Sequence, residues 1–131
     1  MSIFNNHSAE ILVLLFLIIT FLQSGIDKLT DWKGNVDFIT SHFKNSPLQK
    51  MVPLLLMTVL IFEVSAGILM IFGGYYLLTE STSTVAKIGL ELAAITLLML
   101  LIGQRLAKDY AGAMSITVYF ILTILGLYLL N

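Results

Sequence analysis

Residues 51–78 form an apolar stretch of 28 residues in which Glu63 is the one charged residue. At about 1.5 Å of rise per residue, a helix of this length spans a hydrocarbon layer roughly 30 Å thick. Glu63 would then lie roughly 18 Å from the Met51 end of the helix. Placing an ionisable group at such a depth costs at least about 2.5 kcal/mol of free energy. The stretch therefore predicts a membrane span in which Glu63 has a structural or functional role.

The composition places the rest of the chain in a membrane as well. Hydrophobic residues make up 58% of the 131 residues and charged residues 11%, against about 25% charged residues in soluble domains. We predict one domain, residues 1–131, with an all-α fold: an antiparallel four-helix transmembrane bundle. The predicted spans are residues 9–29, 47–78, 85–106 and 110–130.

The long connection between the first two spans predicts a short amphipathic helix at the membrane surface. Apolar side chains recur there at spacings of four, three and four residues, at Trp32, Val36, Ile39 and Phe43. Asn35 is a candidate N-cap. The alternative is a plain polar loop.

A capping box is predicted at the start of the second span. Ser46 would be the N-cap, Pro47 the first helical residue and Gln49 the third. Pro53 would then fall inside the helix and kink its first turns.

Counting residues from the membrane face predicts which side chains lie at the level of Glu63. They are polar residues of the other three spans: Thr20, Gln23, Thr96, Tyr119 and Thr123. A buried acid needs such a polar layer. Three interpretations of Glu63 stay open: a neutral carboxyl that hydrogen-bonds across the bundle, a residue that handles protons or a quinone headgroup, and a contact with a partner's helix.

Oppositely charged side chains near the span ends form three candidate interfacial ion pairs. These pairs are Asp27 with Lys28, Lys87 with Glu91, and Arg105 with Asp109. The alternative for Lys28 is that its ammonium group extends to the lipid headgroups.

Several classes of function are excluded or disfavoured. A net charge of −1 without a basic cluster gives no attraction to nucleic acid, and the absence of cysteine removes thiol chemistry. The histidines, His7 and His42, both lie outside the spans, so we predict no metal site and no intrinsic cofactor.

Basic residues flank the first and third connections, which places both termini outside the cytoplasm by the positive-inside rule. We expect an integral, multi-pass protein of the bacterial inner membrane.

Three segments resemble the DoxX-like family of small membrane proteins. They are Gly25 to Lys28 at the end of the first span, the connection to Ser46-Pro47, and Glu63 to Leu69 with Gly73 following. The resemblance implies a four-helix membrane protein in a family whose named members are linked to quinone-coupled oxidoreductase complexes.

Two hypotheses for function follow. The first is a non-catalytic accessory or assembly subunit, with lipids and other membrane subunits or further copies of itself as partners. The second is a quinone-interacting subunit of a membrane oxidoreductase, in which Glu63, with Gln23 and Tyr119 as candidate neighbours, would bind or protonate the headgroup.

Overall fold

The computed structural model describes the backbone of residues 2–44 and 46–131, and the side chains of residues 7–44 and 46–131. Within these residues it contains five α-helices and one 3₁₀ turn. In chain order they are α1 (Ser2–Thr30), α2 (Trp32–His42), the 3₁₀ turn (Gln49–Met51), α3 (Val52–Glu80), α4 (Thr84–Leu106) and α5 (Tyr110–Leu130).

Four of the helices are long and apolar enough to cross a membrane: α1, α3, α4 and α5. In the bundle α3 packs between α1 and α4, and α5 closes the arrangement against α4 and α1. Leu14, Leu17, Met70 and Leu90 lie at its centre and are fully buried. The predicted all-α four-helix bundle is therefore confirmed, and with it a multi-pass membrane protein.

The amphipathic helix between the first two spans is α2, and Asp31 is its N-cap instead of Asn35. The Asp31 carboxylate accepts a hydrogen bond from the Gly34 N–H at 3.2 Å. Asn35 lies one turn inside the helix, where its side-chain amide donates to the carbonyls of Asp27 and Asp31. Asn35 thus ties the end of α1 to the start of α2.

The predicted capping box does not form, because the chain makes a turn before α3 begins. The Ser46 hydroxyl accepts from the Leu48 N–H, and the Gln49 side chain donates to the Thr40 carbonyl. Since α3 starts at Val52, Pro53 lies in its first turn, where a helix needs no N–H donor. Pro53 therefore helps to begin the helix and does not kink its interior.

Small residues allow α3 and α4 to pack closely. A side chain at Gly73 would overlap the main chain of Ala86, and one at Gly89 would come within 2.9 Å of the Met70 main chain. Ala86 and Ala93 are completely buried on the same face of α4. This interface is the most extensive in the bundle and fixes the position of α3, which carries Glu63.

Candidate functional site

Glu63 forms an ion pair with Lys28 inside the bundle. The Lys28 Nζ lies 2.8 Å from the Glu63 Oε1, and the two side chains are only 12% and 5% exposed. The angles at this contact fall outside hydrogen-bond geometry, so Oε1 accepts no directed hydrogen bond from the described residues. The short distance nevertheless gives the deep acid a counter-charge, and the attraction between them is primarily ionic.

Two glycines bring α1 and α3 close enough for this pair to form. Gly25 packs on Val64, and an added Cβ there would be 3.0 Å from the nearest Val64 methyl. Gly67 packs on Leu22, with a corresponding distance of 2.6 Å. Two of the three segments that carry the family resemblance, one on each helix, therefore face each other across this interface.

Lys28 reaches Glu63 by extending back along its own helix. Side chains in an α-helix tilt toward its N-terminus, and the Lys28 ammonium group donates a 2.6 Å hydrogen bond to the Ser24 hydroxyl one turn earlier. Asp27, the predicted partner, is exposed and makes no ion pair within the described part of the chain. The predicted Asp27–Lys28 pair is replaced by a pair between helices.

The three threonines predicted to surround Glu63 bond within their own helices instead. The hydroxyls of Thr20, Thr96 and Thr123 each donate to the carbonyl four residues earlier, at 2.8 Å. Such a bond satisfies a hydroxyl in an apolar region without a partner helix. Thr96 and Thr123 are fully buried, so these internal bonds are what allows them to lie in the core.

The other two predicted neighbours also make no hydrogen bond with Glu63 among the described side chains. Gln23 is exposed on the outer face of α1. Tyr119 lies against Phe16, with the ring centroids 6.2 Å apart. Lys28 and Ser24, which were not predicted to surround the acid, take the place of this polar layer.

The two remaining predicted ion pairs are absent among the described residues. Lys87 and Glu91 lie four residues apart on α4 but make no contact within 4.0 Å. Arg105 and Asp109 have the same spacing, but α4 ends at Leu106, between them. Arg105 instead lies over the Tyr110 ring, 5.0 Å from its centroid.

Asp109 connects α5 to the surface helix. Its Oδ1 accepts a 2.9 Å hydrogen bond from the Gly112 N–H, which makes Asp109 the N-cap of α5, and its Oδ2 lies 3.1 Å from His42 Nε2. No pattern in the sequence indicates a partner for His42, because His42 and Asp109 are far apart in the chain. The carboxylate therefore both begins a helix and holds the end of α2.

We expect Asp109→Ala to lower the free energy of unfolding by about 1–2 kcal/mol, since the first turn of α5 would lose its cap. Asp109→Asn should retain most of that stability, because an asparagine side chain also accepts from the Gly112 N–H. Denaturant titration followed by circular dichroism measures both. Equal losses in the two variants would assign the effect to the His42 contact and contradict the capping role.

The arrangement as a whole holds charge inside the membrane without offering a metal site. No group of three or more His, Asp or Glu side chains in the described residues could hold a metal ion, and the sequence has no cysteine. What the site provides is one carboxylate and one ammonium group held together between two helices. Such a pair can stabilise the bundle or exchange protons with a bound headgroup.

The chain is similar to a known family of proteins. The family model described as DoxX matches residues 11–103, which is more than half of the chain and includes both Lys28 and Glu63. No curated protein and no solved structure matches the chain. The matched residues begin in α1 and end in α4.

Proposed function

Since the chain belongs to the DoxX family, we propose that this multi-pass membrane protein is a non-catalytic accessory or assembly subunit of a larger membrane complex. The observation that carries the proposal is the Lys28–Glu63 pair. Glu63 is 4% exposed and its counter-charge comes from the neighbouring helix. The deep acid therefore serves to hold α1 against α3.

The outer face of α5 is the part of the bundle best suited to receive a partner. Only 22% of its span is buried, against 33–39% for the other three. Large apolar side chains cover the free face, with Met114, Ile121 and Tyr128 between 63% and 75% exposed. A partner helix packed there would cover α5 as fully as its neighbours cover α3 and α4.

The proposal is tested by purifying the protein in a mild detergent and identifying bound subunits by mass spectrometry. We expect at least one membrane protein to be retained in a fixed ratio, and Ile121→Trp on the free face of α5 to reduce that ratio several-fold. Ile95→Trp, which makes the same change on the exposed side of α4, is the control and should have no effect. Retention of no partner would contradict an accessory role, and equal effects of the two variants would exclude the α5 face.

The second candidate function is that of a quinone-interacting subunit. It is favoured by one observation: the Glu63 carboxylate has no polar contact with the described side chains beyond the Lys28 ammonium on Oε1, so its second oxygen retains capacity for a quinol hydroxyl. The same purified material tests it, because stoichiometric quinone that is lost in Glu63→Gln would support this role. Partner retention without quinone would support the accessory role instead.

A further inference from the structure

A half-open apolar cavity lies between the surface helix and the bundle. Its volume is about 340 Å³, which is within the range of about 300–1,000 Å³ typical of small-molecule sites. Three elements form its walls: the end of α2, the first two turns of α3 and the last two turns of α4. Lining side chains include Ile39, Phe43, Val52, Val59 and Met99, with Gly103 opposite Phe43.

One polar atom of the cavity wall has no partner. The Oε1 of Gln104 is buried and accepts no hydrogen bond from the described residues. The only other polar side chains in the lining are His42 and Thr58, and the Thr58 hydroxyl already donates to the Leu54 carbonyl. The rest of the cavity wall is apolar, which suits a hydrocarbon chain.

A second, polar pocket adjoins the apolar cavity. It has a volume of about 280 Å³ and shares His42 and Leu106 with the cavity as lining residues. Apart from Ala107, its other lining residues are polar or cationic: Lys44, Lys108 and the hydroxyl residues Ser41 and Ser46. The apolar cavity and the polar pocket therefore meet at His42 and Leu106.

The charge of the polar pocket favours an anion. Neither Lys44 nor Lys108 makes an ion pair with a carboxylate among the described residues. The neighbouring carboxylate, Asp109, is occupied by His42 and by the start of α5. Two lysines at a membrane surface attract an anionic headgroup.

We propose that these adjoining pockets form a binding site for one anionic amphiphile with a single apolar chain. The chain occupies the apolar cavity, and the anionic group lies between Lys44 and Lys108. The cavity volume is at the lower end for ligand sites, which suits one chain better than two. The site uses none of the residues that hold the Lys28–Glu63 pair, so it is independent of the proposed accessory role.

The test is native mass spectrometry of the full chain in dodecyl maltoside, titrated with lysophosphatidylglycerol. We expect a one-to-one complex. A monoacylglycerol with the same chain but no charge should bind about tenfold more weakly, and inorganic phosphate should form no complex, because each probe lacks half of the ligand. Equal binding of the two lipids would overturn the role of the lysines, and binding of phosphate alone would overturn the role of the cavity.

Variants locate the site. Lys44→Gln combined with Lys108→Gln should weaken the binding of lysophosphatidylglycerol about tenfold or more. Lys33→Gln with Lys50→Gln removes the same charge elsewhere and should change the affinity little.

Val59→Phe should block the apolar cavity and prevent binding, with the exposed Val118→Phe as its control. Gly103→Leu fills the cavity from the opposite wall if Val59→Phe does not fold. Wild-type binding in the folded cavity variants, or equal effects of the two lysine pairs, would refute the site.

Discussion

Lys28→Met is expected to lower the free energy of unfolding by about 3–5 kcal/mol, the loss that follows when one member of a buried ion pair is removed. The Glu63 side chain would remain 5% exposed, with its ionic partner gone. It cannot move to water, because it lies in the interior of α3, eleven residues from the start of that helix. Equilibrium unfolding in sodium dodecyl sulfate, followed by circular dichroism, measures the loss.

The position of the ion pair in the bundle predicts that Lys28→Met and Glu63→Met lower the free energy of unfolding by different amounts. Lys28 lies two residues from the end of α1, so in Glu63→Met its long side chain can turn toward the headgroups and keep its charge solvated. Glu63→Met should therefore destabilise less than Lys28→Met. The double variant, with two apolar side chains, should recover most of the stability.

Lys33→Met is the matched control for this series. It makes the same substitution at an exposed position of α2 and should change stability by less than about 0.5 kcal/mol. If Lys28→Met cost no more than Lys33→Met, the ion pair would contribute nothing to the fold. If the double variant were as unstable as Lys28→Met, the loss would come from packing of the lysine side chain instead.

The four spans could be predicted from the sequence because their signal is local. A backbone inside lipid must satisfy its own hydrogen bonds, so an uncharged run as long as residues 110–130 can be little other than a helix. The amphipathic face of α2 was predictable for the same reason, since the spacing of Trp32, Val36 and Ile39 is contained in eleven residues. Four such spans joined by mostly short connections are enough to predict an antiparallel four-helix bundle.

The partner of Glu63 could not be predicted in the same way, because it depends on the axial register between α1 and α3, which is set by their packing. Counting residues from a common plane placed Thr20 and Gln23 at the level of the acid. Gly25 contacts Val64, the residue after Glu63, so Glu63 lies close to the end of α1. The first turns of α3 therefore extend beyond the end of α1. Lys28 then spans the remaining turn with its own length, as its bond to Ser24 shows.

Helix ends account for a second kind of error. Arg105 and Asp109 have the spacing of an ion pair within one helix, but the helix ends at Leu106, and Lys108 adopts a positive φ of 61° in the turn that follows. Asp109 therefore belongs to the start of α5. The contact between His42 and Asp109 escaped prediction because it joins two turns that meet only in the folded bundle.

Gly73→Ala and Gly74→Ala should change stability in opposite directions, although the two glycines are adjacent in α3. A methyl group at Gly73 would overlap the main chain of Ala86, which cannot move without separating α3 from α4, and overpacking of this kind costs about 1–3 kcal/mol. At Gly74 the nearest atom is a Leu14 methyl at 3.9 Å, an ordinary contact. There the higher helix propensity of alanine should add up to about 1 kcal/mol.

The same unfolding titration compares the two glycine variants. Gly73→Ala should move the midpoint to lower denaturant, and Gly74→Ala should leave it unchanged or raise it. Gly73→Leu should be worse than Gly73→Ala, because a larger side chain at this position meets backbone and not a flexible side chain that can move aside. If both alanine variants were stabilising, α3 and α4 would be farther apart than the contact of Gly73 with Ala86 requires, and the close packing of these two helices would be refuted.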